Sequence, residues 1–146
     1  MREFARSNMR VVYVAGKYRG ANAWEVHRNV SAAEHWAFQV ATLGAMPLCP
    51  HTNTANFDGT LTDRFWLDGT MELLRRCDAI FLTPNWLEST GARGELLEAV
   101  RMRMPSFDTL KDLQAWILGQ PYDDNRPIFV SQAEVAGARA GAMVLV

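Results

Sequence analysis

Apolar residues in this chain fall in short runs and helical stripes separated by polar breaks. Val11-Val12-Tyr13-Val14-Ala15 is an unbroken apolar run ended by Gly16, which predicts a strand covered on both faces of a parallel sheet. From Trp24 to Leu43, the residues Val26, Val30, Ala33, Trp36, Ala37, Val40 and Ala41 recur at helical spacing, predicting a helix with one buried stripe that stops at Gly44. Ala45 to Cys49 reads as a second strand closed by Pro50, because proline removes a ladder donor. His51 to Thr62 is rich in Asn, Thr, Asp and Gly and has no period. It is expected to be a surface loop, long enough to carry function.

Asp63 to Arg76 carries Phe65, Trp66, Met71, Leu73 and Leu74 at helical spacing, and Ala79 to Leu82 is a third buried strand broken by Pro84-Asn85. A helix follows from about Gly91 to Arg103, then a fourth strand within Met104 to Phe107, then a helix opened by Asp108 or Thr109 and reaching Leu118. The pattern weakens beyond Gly119. Pro121 to Pro127 reads as a polar turn, Ile128-Phe129-Val130 as an edge strand, and the small-residue tail to Val146 as a segment that docks on the domain or on a second subunit.

Strands alternating with helices predict an α/β fold, a single-domain Rossmann-like or flavodoxin-like three-layer sandwich with a mostly parallel sheet of about five strands. The expected division is an N-terminal arm at residues 1–9, one domain at 10–118 and a C-terminal extension at 119–146. In such sheets ligands bind beyond the carboxyl ends of the strands. This directs attention to Gly16 to Gly20, Pro50 to Asn56 and Asn85 to Glu95.

Composition narrows the field of partners. A net charge of -1 supplies no broad basic surface for a nucleic-acid polymer. The charged start MREFARSNMR lacks an apolar signal core, and no apolar stretch is long enough to span a membrane. Cys49 and Cys77 lie beside apolar runs without a disulfide framework. A cytoplasmic location without membrane partners is the expectation.

Three constellations hold candidate chemistry. Gly16-Lys17-Tyr18-Arg19-Gly20 follows the first strand, where glycines let backbone N–H groups approach an anion and two cations add charge; a turn with solvated cations is the plain alternative. In Ser89-Thr90-Gly91-Ala92-Arg93-Gly94-Glu95, Ser89 or Thr90 can cap a helix, Gly91 leaves room for a ligand, and Glu95 can project above the sheet. Alternatively, Glu95 only answers the helix dipole. Glu98 is expected to face solvent or pair with Arg101. The third group, His51 and Asn53 with Asn56 and Asp58, has no metal-ligand spacing. His51 and Asn53 either bond a sugar or base, or organise the loop. Trp36 and Trp116 read as core, whereas Trp66 or Trp86 can cover a bound ring.

Together, Tyr13-Val-Ala-Gly16-Lys-Tyr-Arg19-Gly20, Pro47-Leu-Cys-Pro50-His51, Cys77-Asp78-Ala-Ile and Ser89-Thr-Gly91-Ala-Arg-Gly-Glu95 resemble the nucleoside 2-deoxyribosyltransferase-like superfamily. The first loop is similar to that of the 2'-deoxynucleoside 5'-phosphate N-hydrolases. The resemblance implies a small-molecule nucleoside or nucleotide ligand, no cofactor, and a homo-oligomer that completes its sites between subunits. It further implies that Glu95 attacks the anomeric carbon, that Tyr13 orients it, and that Arg19 and Ser89 hold a 5'-phosphate. Where relatives carry an aspartate that handles the base, this chain has Thr70, and a threonine is no general acid near neutral pH. Asp68 is the carboxylate expected to take over. The implied activity is N-glycosidase or deoxyribosyltransferase; the alternative is a non-catalytic nucleotide-binding module.

Overall fold

The computed structural model describes residues 8–57 and 59–124. Asp58, the expected edge strand at Ile128 to Val130 and the docking tail lie outside these residues. The order is β1 (Val11–Ala15), α1 (Ala23–Thr42), β2 (Met46–Leu48), α2 (Pro50–Asn53), α3 (Asp63–Arg75), β3 (Ala79–Leu82), a 3-10 turn (Trp86–Glu88), α4 (Thr90–Arg101), β4 (Ser106–Phe107) and α5 (Leu110–Ile117). Among the described residues four strands pair in the order β2-β1-β3-β4, all parallel. No helix among the described residues is long and apolar enough to cross a membrane.

The apolar runs of β1 and β3 are covered on both faces, and strand alternation decides which residue goes where. Val12, Val14 and Phe81 pack under α1 and α5 with Ala33, Ala37, Val40 and Leu113. Tyr13, Ala15, Ile80 and Leu82 point the other way, against Leu74 of α3 and Ala92, Leu96 and Ala99 of α4. Tyr13 is thereby aimed at the helix that carries Glu95. The Cys77-Asp78 pair has a structural role here: Asp78 Oδ2 accepts the Val11 N–H at 2.8 Å and the Asp78 N–H returns a bond to the Val11 carbonyl at 2.8 Å, fixing β3 beside β1.

Helix α1 ends as its glycine predicts, with Gly44 at φ 98, a left-handed conformation open to a residue without Cβ. The loop expected from His51 instead begins within the short helix α2. Pro50 takes a first-turn position, where its missing N–H is harmless, and the Asn53 N–H closes the turn on the Cys49 carbonyl at 3.0 Å. The 3-10 turn after β3 is a second departure from the predicted pattern. It carries Trp86 into the core, only 5% exposed, so Trp86 does not cover a ligand. Trp36 and Trp116 pack half-buried on the opposite face, as expected.

Candidate functional site

The strand order reverses direction between β1 and β3, and a crevice opens beyond the carboxyl ends of strands at such a switch point. Gly16 leaves β1 there. A Cβ on Gly16 would run into the Thr83 hydroxyl and approach Asn85 Oδ1 to 3.2 Å, so the close pass of the two strand ends requires glycine. Asn85 Oδ1 accepts the Lys17 N–H at 3.2 Å and the Thr83 hydroxyl at 2.7 Å. From α1, the Asn29 amide donates to the Tyr18 and Arg19 carbonyls at 3.1 and 3.2 Å. The loop after β1 is thus held from both sides.

Across the crevice, Ser89 caps α4 by accepting the Ala92 N–H at 3.1 Å, the expected capping role. Lys17 meets Glu88 at 3.7 Å, so part of its charge is already answered within the chain. Glu98 pairs with Arg101 at 2.6 Å and Arg75 at 3.0 Å. These bonds, that from Arg101 first, hold its carboxyl down to about 2. The Arg75 contact also ties α3 to α4, two helices that line the cavity.

The cavity holds about 290 Å³ and is lined by Tyr13, Gly16, Lys17, Tyr18, Arg19, Pro50, His51, Thr54, Asp63, Trp66, Leu67, Thr70, Glu88, Ser89, Thr90, Gly91 and Glu95. Its distinguishing property is unmet hydrogen bonding. Among the described residues, the buried side-chain polar atoms without a partner are Tyr13 Oη, His51 Nδ1, Trp66 Nε1 and Glu95 Oε2, and all four side chains line this cavity. Native chains rarely leave such atoms unpaired, because each costs about 1–3 kcal/mol; a cluster of them marks a place where partners arrive from outside. Another cavity of about 320 Å³ along β4, against Tyr122 and Asp124, contains none of them.

Burial raises the Glu95 carboxyl to about 7, an effect the nearby Tyr13 hydroxyl moderates. Tyr13 is pushed well above its ordinary range, by burial first and by the Glu95 charge second. The two groups feel each other without a well-formed hydrogen bond. His51 Nε2 sits 3.1 Å from the Gly16 carbonyl, and burial lowers the ring's pKa. Within the cavity, therefore, a carboxylate half-ionised near neutral pH lies beside a neutral phenol.

Of the residues expected from sequence, the structure brings Tyr13, Gly16, Lys17, Tyr18, Arg19, His51, Ser89, Gly91 and Glu95 to this cavity. It does not bring Gly20, Asn53 or Asp68. Gly20 packs on Glu25, which shapes the turn by accepting the Ala21 N–H at 2.6 Å. Asn53 is exposed on α2. Asp68 is corrected outright: it faces solvent and pairs with Arg64 at 2.9 Å.

Asp63 is the carboxylate that α3 contributes instead, and helical geometry identifies it. Asp63, Trp66, Leu67 and Thr70 fall at i, i+3, i+4 and i+7, one face of α3, whereas Asp68 is two residues from Thr70 and lies about 200° around the helix. Fixing the stripe on Thr70 and stepping back two turns would have found Asp63.

No curated protein matches the chain. A solved structure described as a 2-deoxyribosyltransferase from the psychrotolerant bacterium Bacillus psychrosaccharolyticus is similar at 21% identity, over 66% of this chain and 69% of that one, with a TM-score of 0.49. Residues 10–106, which include β1, the crevice loops, α3 and α4, match the family described as Domain of unknown function (DUF4406), and the chain belongs to that family.

Proposed function

We propose that the cavity binds a nucleoside or nucleoside 5'-monophosphate and that Glu95 cleaves its N-glycosidic bond. One observation carries the reading: the Glu95 carboxyl is buried in the cavity with Oε2 unpartnered and its ionisation brought to about 7. A structural carboxylate would be paired with a cation or capped by backbone N–H groups, and Oε2 has neither. A carboxylate is a competent nucleophile toward a centre with oxocarbenium character. Its oxygen forms a bond to the anomeric carbon while the carbon–nitrogen bond breaks, its electron pair leaving on the base, which takes up a proton. Water or a second base then opens the glycosyl ester. Tyr13, neutral at working pH, steadies the carboxylate. Arg19 and the Ser89 hydroxyl stand at the rim for a 5'-phosphate, with Lys17 shared between such a group and Glu88.

Thr70 is at the cavity, but its hydroxyl is engaged with the Leu67 carbonyl at 3.0 Å, so no acid stands there. This favours a second reading, a binding module without turnover. Under the catalytic reading, Asp63 on the same helical face hands the base its proton.

One assay separates the readings: deoxy- and ribonucleosides and their 5'-monophosphates are incubated with the protein, and free base is followed by chromatography. Base is expected to appear. Because Glu95 must be ionised, kcat/KM of Asp63→Asn protein, in which no side-chain acid remains to titrate at that position, should rise about tenfold per pH unit below about 7 and level above it. Asp63→Asn should slow release about 100-fold, whereas Asp68→Asn leaves it unchanged. Ligand binding with no base from any substrate would leave the binding module standing.

A further inference from the structure

Two of the buried unpartnered atoms have a hydrogen-bonding polarity fixed by the chain. The Gly16 carbonyl can only accept, so the His51 nitrogen 3.1 Å from it, Nε2, carries the proton. In a neutral imidazole that leaves Nδ1 a lone-pair acceptor, and burial keeps the ring neutral. The Tyr18 ring stands edge-on to His51 with centroids 5.3 Å apart, which restrains its rotation. Trp66 Nε1 can only donate. Its indole is placed by Phe57 and Phe65, with ring centroids at 5.5 and 5.0 Å.

Resting on the nucleoside reading, we infer that His51 and Trp66 select the ligand by hydrogen-bond polarity: His51 Nδ1 accepts from a ligand hydroxyl or N–H, and Trp66 Nε1 donates to the carbonyl oxygen of an oxo-bearing base. A phosphate or carboxylate oxygen set against His51 would meet a lone pair and is rejected, so the anionic end of a ligand is confined to the rim near Arg19. An oxo-bearing base on a hydroxylated sugar offers both required polarities. A base without an oxo group, or a sugar stripped of its hydroxyls, leaves one buried atom unpaired in the complex, and the unpaired atom lowers affinity about 10-fold.

The test is calorimetric titration with 2'-deoxyinosine, purine 2'-deoxyriboside, which lacks the oxo group and ring N–H, and 2',3'-dideoxyinosine, which lacks the 3'-hydroxyl. All titrations use Glu95→Gln protein so that the probes survive. Trp66→Phe should weaken 2'-deoxyinosine about 10-fold and leave purine 2'-deoxyriboside unchanged. His51→Gln can keep a donor on the Gly16 carbonyl while losing the Nδ1 acceptor. It should weaken 2'-deoxyinosine by a similar factor and leave unchanged whichever analogue lacks the donor that His51 reads. His51→Asn, which retains an acceptor near the Nδ1 position, should recover most of the loss. Nitrogen NMR of the His51 ring should show a protonated Nε2 and a bare Nδ1 whose resonance moves on adding 2'-deoxyinosine. Equal weakening of all three probes, or none, overturns the polarity assignment while leaving the nucleoside reading intact. Failure of every probe, and of 2'-deoxyinosine 5'-monophosphate, to bind the Glu95→Gln protein overturns that reading and the assignment with it.

Discussion

Glu95→Gln is expected to slow base release by roughly 10³-fold or more while leaving the fold intact. Gln is isosteric and neutral, so it matches the protonated form that burial already favours, but it cannot form the glycosyl ester. The same variant reports on stability with a definite sign. In the unfolded chain the carboxyl ionises near 4.5, and in the folded protein near 7. Its contribution to stability is therefore whole below pH 4.5, declines as the pH rises between those values and is gone above about 7. The loss is on the order of 3 kcal/mol. Gln has no charge to bury, so the variant should melt above the parent at pH 8 and close to it at pH 4. A variant that melts lower at pH 8 would mean that Glu95 is a paired structural carboxylate.

Gly16→Ala is expected to destabilise the protein by about 1–3 kcal/mol in denaturant unfolding and to cut base release as well. The added methyl would overlap the Thr83 hydroxyl. Thr83 has little freedom to give way: it is 3% exposed and its hydroxyl donates to Asn85 at 2.7 Å. Relief must come from the backbone, which moves the Gly16 carbonyl that holds His51 and the Lys17 N–H bonded to Asn85. Gly91→Ala is the matched control. Its Cβ would stand 3.7 Å from Ser89 Oγ and 3.9 Å from Glu95 Oε1, ordinary contact distances, so stability should hold. Equal stability and activity of Gly16→Ala and the parent would contradict the account of this loop.

The parallel sheet was readable because β1 and β3 are covered on both faces, and continuous apolar runs such as 11–15 and 79–82 have few other uses. The loop after β2 is less legible in the sequence. Asn and Thr are turn formers by propensity, yet Thr52 and Thr54 turn their hydroxyls onto the Cys49 and Pro50 carbonyls, each at 3.1 Å, and a helical turn closes instead. At the site, Glu95 and the loop after Gly16 could be placed from strand ends and helix starts, whereas Tyr13, inside a buried strand run, is singled out only by the family resemblance. The wall from α3 could not be placed by proximity in sequence. Asp68 is the nearer carboxylate to Thr70, but rotation about the helix decides which side chain faces the crevice, and that favours Asp63. The distribution of unpartnered buried atoms has no sequence signature at all; it arises from how Tyr13, His51, Trp66 and Glu95 come together from four different elements.

The most direct test is the mass of the intact protein after rapid acid quenching during turnover of a 2'-deoxynucleoside or its 5'-monophosphate, followed by peptide mapping. The account predicts an added deoxyribosyl or deoxyribosyl-phosphate mass on the peptide that contains Glu95, absent in Glu95→Gln. Base release with no adduct on that peptide, or with the adduct on another residue, would contradict it.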